Sequence, residues 1–213
     1  DKAINQNEFD WETFKSINIK MHTKSQQYFK KISDAFLSFS FNKKNINKIN
    51  EIAYEIANVL NKNGKVIFAG NGGSFADSQH LSAEFISKLN RDRSPLAAIT
   101  LGTNSSSLSA IGNDYGFEFV FSRELEAIHS KKDIVIAIST SGKSRNIIEL
   151  LKKANSLGIK SALLTGPNEN TPASLLCNWV ITTPKGYDQT AEIQHLHISI
   201  GHLICDIAQQ DFI

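Results

Sequence analysis

The hydrophobic positions of residues 64–213 fall into short, continuous runs separated by segments whose apolar residues recur at helical spacing. The apolar runs are VIFAG (66–70), LAAITLG (96–102), IVIAIST (134–140), SALLTG (161–166) and WVITTP (179–184). Continuous rather than alternating runs are typical of strands buried on both faces of a parallel sheet. The helical segments between and after them are 74–90, about 105–129, 144–157 and 190–210. This alternation predicts an α/β fold, a three-layer αβα sandwich with a central parallel sheet of about five strands.

The hydrophobic pattern of residues 10–62 is different. Apolar side chains recur there three and four positions apart, without strand-like alternation and without proline. We expect two or three helices that end near Asn63–Gly64, a sequence that commonly terminates a helix. The pattern therefore divides the chain into an N-terminal helical arm, residues 1–62, and one α/β domain, residues 63–213.

Composition and charge narrow the classes of function. The 213 residues carry a net charge of +2, from 23 basic and 21 acidic side chains, and the densest basic cluster, Lys43–Lys44 with Lys48, is diluted by asparagines. We therefore expect no nucleic-acid partner. No apolar run approaches the roughly 18 to 20 residues that span a bilayer, so no membrane partner is expected either. Cys177 and Cys205 lack metal-ligand spacing, and they favour a reducing compartment, the cytoplasm.

The first unusual turn is GNGGS, residues 70–74, directly after a predicted strand. A Walker loop requires a lysine that this turn lacks, and a dinucleotide loop requires a third glycine where Phe75 stands. What remains is a turn whose backbone amides can approach a ligand at a helix N-terminus, with Asn71 and Ser74 as side-chain partners. The alternative is a plain turn in which Ser74 caps the helix.

The second unusual turn, STSGKSRN, covers residues 139–146 and also follows a predicted strand. One hydroxyl would be enough to cap the next helix, whereas this turn offers four. Hydroxyl donors, backbone amides and the positive end of a helix together favour a phosphate group. The four hydroxyl residues are Ser139, Thr140, Ser141 and Ser144.

Two helices carry polar groups that could act on a substrate. His80 and Glu84 are one turn apart, about 40° around their helix, and in the final helix His195 and His202 are separated by about 20° and Gln194 and His202 by about 80°. A surface ion pair and an ordinary core histidine are the alternatives. Two imidazoles, a carboxylate and an amide oxygen could hold a divalent metal such as zinc, or place an acid and a base around a substrate carbon.

Four motifs in this order resemble the phosphoheptose isomerases of the sugar-isomerase (SIS) superfamily. The motifs are GNGGS-x4-QH-x3-E, AIGNDYGFE-x-VFSRE, ISTSGKS and IQ-x2-H-x4-H, within residues 64–208. The resemblance implies interconversion of sedoheptulose 7-phosphate and D-glycero-D-manno-heptose 7-phosphate by acid/base proton transfer with assistance from a metal. That reaction begins the synthesis of ADP- or GDP-activated heptose for lipopolysaccharide or capsule.

The resemblance also implies roles for individual residues. Glu84 and His202 would be the acid/base pair, and one zinc ion per subunit would be bound by His80, Glu84, Gln194 and His202. The phosphate would be held by Ser139, Thr140, Ser141 and Ser144. Further contacts to the substrate would come from Asn71, Gly72, Gly73, Ser74, Glu84, Asn113, Asp114 and Gln194. Members are typically homotetramers with active sites at subunit interfaces, so the arm would pack on the domain and on a neighbouring subunit.

The sequence departs from the family's pattern at two positions of the final helix, where Glu192 replaces an arginine and His195 a glutamate. Two alternatives follow. One is an isomerase of another phosphosugar. The other is a non-catalytic SIS protein that binds the bacterial replication initiator; that branch lacks the glutamate and the last histidine of the isomerase set, whereas this chain has Glu84 and His202.

Overall fold

The computed structural model describes residues 11–212, and their centre is a five-stranded, all-parallel sheet of order β2-β1-β3-β4-β5. The strands are β1 (Val66–Gly70), β2 (Ala98–Thr100), β3 (Ile134–Ser139), β4 (Lys160–Thr165) and β5 (Trp179–Thr182). The helices are α1 (Trp11–Ser40), α2 (Lys43–Asn61), α3 (Gly73–Ile86), α4 (Ser105–Asp114), α5 (Val120–Ile128), α6 (Arg145–Ser156) and α7 (Thr190–Ala208). Short 3-10 helices cover Phe117–Phe119, Ser174–Leu176 and Gln210–Phe212. Within residues 11–212, no helix is long and apolar enough to cross a membrane.

The sheet is buried on both faces, as the continuous apolar runs predict. Alternate β3 residues, Ile134 and Ile136, pack into one hydrophobic core together with α2, α3 and α7. Their neighbours Val135 and Ala137 pack into a second core together with α5 and α6. Because successive strand residues point to opposite faces, one strand supplies both cores. The predicted three-layer αβα sandwich is confirmed.

The N-terminal region consists of two helices among the described residues, and residues 1–10 of the predicted arm lie outside them. Helix α2 belongs to the core, because Ile49, Ile52 and Ile56 are completely buried. Helix α1 is 30 residues long. Its described side chains are largely exposed, and those of them that belong to the core, Ala35 and Phe39, lie near its end. The predicted boundary between residues 62 and 63 stays a prediction.

Three predicted elements differ in extent. The single helix predicted over 105–129 is two helices with a break at Gly116, whose φ of 103° is incompatible with a helix. Helix α3 ends at Ile86 rather than at residue 90. The edge strand β2 is only Ala98–Thr100, because it has one neighbouring strand to pair with and β1 ends the register at Phe68–Thr100.

The strand order determines where a ligand can bind. In sheets of order 2-1-3-4-5 the chain reverses its winding direction between β1 and β3, and a crevice opens outside the carboxyl ends of these two strands. The turn 70–74 follows β1, and the turn 139–144 follows β3. The fold therefore brings the two predicted ligand turns, 75 residues apart at Asn71 and Asn146, to one edge of the sheet.

Candidate active site

The turn after β1 requires its glycines for close packing. A Cβ atom on Gly70 would lie 2.3 Å from the carbonyl oxygen of Ser74, and one on Gly73 would lie 2.4 Å from the side-chain nitrogen of Gln194. Gly72 has a φ of 55° and is the N-cap of α3, with no side-chain capping bond. The expectation that Ser74 caps the helix is therefore wrong, and Ser74 is instead a buried residue of the first helical turn; the role of the turn in ligand binding stays a prediction.

The turn after β3 is organised around its hydroxyl groups. The Ser139 hydroxyl accepts a hydrogen bond from the Gly142 amide at 3.2 Å and lies 3.5 Å from the Ser144 hydroxyl. Ser144 is the N-cap of α6 but makes no side-chain capping bond, so its hydroxyl is not used to complete the helix. A helix N-terminus with hydroxyls beside it is well suited to bind an anion.

The other two predicted phosphate ligands lie in the same turn. Thr140 is half-buried, and its carbonyl oxygen accepts a hydrogen bond from the Gly166 amide at 3.0 Å. Ser141 is exposed, and its hydroxyl accepts a hydrogen bond from the Lys143 amide at 3.2 Å. The backbone of the turn is thus anchored to the segment after β4, while the Ser141 side chain faces outward.

A cavity of about 540 Å³ lies between the two turns. Three of the residues that line it, Asn71, Gly72 and Ser144, are predicted site residues. The complete lining is Asn71, Gly72, Phe117, Glu118, Ser144, Arg145 and Asn146. The volume suits a small ligand, and three of the lining side chains, Asn71, Ser144 and Arg145, carry groups that can donate hydrogen bonds to a sugar phosphate.

Helices α3 and α7 bring together three of the predicted metal ligands. The Nε2 atoms of His80 and His202 are 2.8 Å apart, and His80 Nε2 lies 3.2 Å from a Glu84 carboxylate oxygen. The helices approach closely because Gly201 has no side chain: a Cβ there would lie 2.4 Å from Leu81. Two imidazole nitrogens and a carboxylate oxygen within 4.8 Å of one another form a donor set that zinc prefers.

The end of α3 near Glu84 is held from outside the helix. The carbonyl oxygen of Glu84 accepts hydrogen bonds from the Arg93 guanidinium at 2.7 Å and from the Gln209 side chain at 3.2 Å. Arg93 and Gln209 also bond to each other, at 2.7 Å and 3.0 Å. These contacts fix the last turn of α3 and with it the carboxylate.

Asp77 is a member of this region that the sequence reasoning missed. One of its carboxylate oxygens is buried and has no hydrogen-bond partner among the described residues. Burial raises the pKa of Asp77, whereas the nearby His80 and His202 act to lower it. Asp77 precedes His80 by three residues, so helical periodicity would have placed the two on one face.

The remaining predicted residues occupy other positions. Gln194 lies against Gly73, as described above. Asn113 and Asp114 end helix α4, are exposed, and form a hydrogen bond with each other at 2.8 Å. Neither lines the 540 Å³ cavity, and their contact with substrate stays a prediction.

Comparison with known proteins assigns the family. A model of the SIS domain matches residues 27–166. Phosphoheptose isomerase 1 of Campylobacter jejuni is 47% identical over 167 residues, which cover 78% of this chain and 87% of that protein. The structure of the phosphoheptose isomerase from Neisseria gonorrhoeae has a TM-score of 0.78 and 34% identity, and the match covers 87% of this chain and 98% of the other. The corresponding structure from Francisella tularensis has a TM-score of 0.81 and 30% identity, with coverage of 89% and 98%.

The chain belongs to the phosphoheptose isomerase family. The matched residues 27–166 include both ligand turns and the helix that carries His80 and Glu84. They also begin within α1 and cross the predicted boundary between arm and domain.

The two departures from the family pattern are both in contact with helix α1. Glu192, whose side chain is 6% exposed, forms an ion pair with Lys31 at 2.6 Å. His195 Nε2 lies 2.8 Å from the Tyr28 hydroxyl. His195 therefore faces the arm and not the group formed by His80, Glu84 and His202. These two residues attach the N-terminus of α7 to α1.

Proposed function

We propose that this protein is an aldose–ketose isomerase that interconverts sedoheptulose 7-phosphate and D-glycero-D-manno-heptose 7-phosphate. The observation that carries the proposal is the convergence of Glu84, His80 and His202 in a chain 47% identical to a phosphoheptose isomerase. The presence of both Glu84 and His202 favours an enzyme over a non-catalytic binding protein. The product would enter the synthesis of nucleotide-activated heptose for lipopolysaccharide or capsule, and a cytoplasmic location is part of the proposal.

The reaction moves a carbonyl group between C2 and C1. A base removes a proton from C1 of the ketose, which gives an enediol, and an acid returns a proton to C2 while the oxygens exchange theirs. We assign these transfers to Glu84 and His202. The serine-rich turn at the N-terminus of α6 would bind the phosphate, and the turn 70–74 would contact the sugar. Binding at both turns would hold the reacting carbons in place between proton transfers.

We propose one zinc ion per subunit, held by His80, Glu84, Gln194 and His202. The donor set supports this assignment, because the ligand atoms of His80, Glu84 and His202 already lie within 4.8 Å of one another. When bound, the metal would stabilise negative charge on the substrate oxygens. Elemental analysis of protein purified without chelator should find one zinc per chain, and His80→Asn should lower this content. Absence of metal in both proteins would refute the zinc assignment and leave the acid/base pair intact.

We also propose a homotetramer with active sites at subunit interfaces. Apolar side chains on α1 support this, since Ile19, Met21 and Phe29 are 67%, 62% and 71% exposed, and a second copy of the chain would cover them. Phe117, which lines the cavity, is 57% exposed. Native mass spectrometry should give four times the chain mass. A monomer at micromolar concentration would contradict the proposal.

The isomerase assignment is tested by turnover. Purified protein should convert sedoheptulose 7-phosphate to the mannoheptose phosphate and convert hexose and amino-sugar phosphates far more slowly. Glu84→Gln and His202→Asn should each lower kcat about 100-fold or more, the size typical of a lost general acid or base. Glu126→Gln and His129→Asn are matched controls, because both residues lie on or next to α5, away from the cluster. Equal activity in all four variants would refute the assignment.

A further inference from the structure

A pair of asparagine side chains joins the two ligand turns. The Asn71 amide nitrogen donates to the Asn146 amide oxygen at 2.9 Å, and the Asn146 nitrogen donates to the Asn71 oxygen at 2.8 Å. Asn71 lies directly after β1, and Asn146 is the second residue of α6. Asn146 is 3% exposed, whereas Asn71 is half-buried at the wall of the 540 Å³ cavity.

The pair has a defined chemical consequence. A primary amide has two N–H donors and one oxygen with two lone pairs. The reciprocal bonds use one donor and one lone pair on each side, so the amide plane of Asn71 is fixed while its second donor and second lone pair remain for a ligand. Because Asn146 is buried, loss of Asn71 leaves a buried polar group unsatisfied, whereas loss of Asn146 leaves the half-buried Asn71 amide without its partner.

The pair also connects two parts of the site that no other described side-chain hydrogen bond joins directly. Strands β1 and β3 are neighbours, and their last paired residues are Gly70 and Ile138. Beyond this point the two strands lead into separate turns, 70–74 after β1 and 139–144 after β3, which we assign to the sugar and to the phosphate. The amides bridge that gap at the mouth of the crevice.

We propose that Asn146 is a positioning residue that acts through Asn71: it orients the Asn71 amide toward the substrate and holds the turn 70–74 against the phosphate turn. The inference rests on the proposed function, since it assigns a role within the same site. The separation between the sugar-binding and phosphate-binding groups is then set by one amide pair. Loss of the pair should therefore change substrate affinity more than it changes the free energy of unfolding.

A double-mutant cycle tests the proposal. Asn146→Ala and Asn71→Ala should each raise KM for sedoheptulose 7-phosphate about tenfold, the size of one well-placed hydrogen bond, and the double variant should be no worse than Asn71→Ala within about twofold. Additive losses would overturn the proposal, because Asn146 would then act independently of Asn71. A lower Tm with unchanged kcat and KM would overturn it in favour of a purely structural role.

Two further measurements make the result specific. Asn155→Ala is a matched control on the same helix: Asn155 donates to the Leu176 carbonyl at 2.9 Å, outside the cavity lining, so its removal should leave KM unchanged. Asn146→Asp keeps the size and the acceptor but cannot donate while ionised and adds negative charge beside the phosphate turn. It should therefore raise KM at least as much as Asn146→Ala, and a wild-type KM would contradict the proposal.

Binding of inorganic phosphate, measured by calorimetry, gives a readout that needs no turnover. If the pair holds the phosphate turn, both single variants should weaken phosphate binding about threefold, and the double variant should show the same loss. A wild type that binds phosphate but does not isomerise the heptose would refute the proposed function and leave this cycle valid. A wild type that isomerises, combined with an additive cycle, would refute only the amide-pair proposal.

Discussion

The ion pair between Lys31 and Glu192 provides a sharp test of how the arm is attached. Lys31→Met would leave the Glu192 carboxylate, 6% exposed, without its cation. Its remaining contact is a 3.4 Å hydrogen bond from the Gln189 amide. Removal of one partner of a fully buried pair costs about 3–5 kcal/mol. Because the Lys31 side chain is 44% exposed, solvent screens the pair, and we expect a loss of about 1–2 kcal/mol in the free energy of unfolding.

Urea unfolding at one fixed protein concentration measures this loss, since the stability of an oligomer depends on concentration. Lys15→Met is the matched control, because Lys15 pairs with Glu12 on the same helix and their side chains are 65% and 88% exposed. It should change stability by less than about 0.5 kcal/mol. The swap Lys31→Glu with Glu192→Lys should recover part of the loss. The reasoning would be refuted if Lys31→Met and Lys15→Met had equal effects.

Three other predictions follow from single residues. Gly142→Ala should destabilise the protein by about 2 kcal/mol or more, because φ is 61° and the new Cβ would lie 2.2 Å from Thr171. Gly158→Ala is the control, since Gly158 has a φ of 72° but open space around it, and it should destabilise the protein less. Equal unfolding midpoints of the two variants would contradict this prediction. Complete burial lowers the pKa of His197 to about 4, and the Thr165 backbone offsets this only partly. Below about pH 6.5 the imidazole binds a proton in the unfolded chain but not in the folded one, so the free energy of unfolding should fall by about 3 kcal/mol between about pH 6.5 and pH 4. In urea unfolding across this pH range, His197→Leu should lack this fall in stability. A fall as large as in the wild type would show that His197 does not cause it. Asp77→Asn should weaken zinc binding about tenfold in a chelator competition, whereas unchanged affinity would remove Asp77 from the metal's surroundings.

The sequence predicted the layers well because burial on both faces leaves a continuous apolar signal. All five apolar runs contain strands, and the sheet edge that carries the ligand turns follows from parallel topology alone. Helix ends were less predictable. The break at Gly116 depends on a positive φ, and the short β2 depends on its position at the edge of the sheet; periodicity reports neither.

The site was predictable where its residues share a helix and less so elsewhere. His80 and Glu84 are one turn apart, so their spacing is visible in the sequence. His195 lies about 20° from His202 around α7, yet it is two turns away along the axis and meets Tyr28 of the arm. Asn146 gave no signal, because its partner is 75 residues away and the contact exists only once β1 and β3 pair.

The most direct test of the central claim is deuterium incorporation from D₂O at C1 of sedoheptulose 7-phosphate and at C2 of the D-glycero-D-manno-heptose 7-phosphate formed from it, followed by ¹H NMR. This measurement detects proton transfer itself, separately from product release. Wild-type protein should incorporate deuterium at these carbons, while Glu84→Gln and His202→Asn should slow incorporation about 100-fold or more. Incorporation at the wild-type rate in both variants would contradict the assignment of Glu84 and His202 as the acid/base pair.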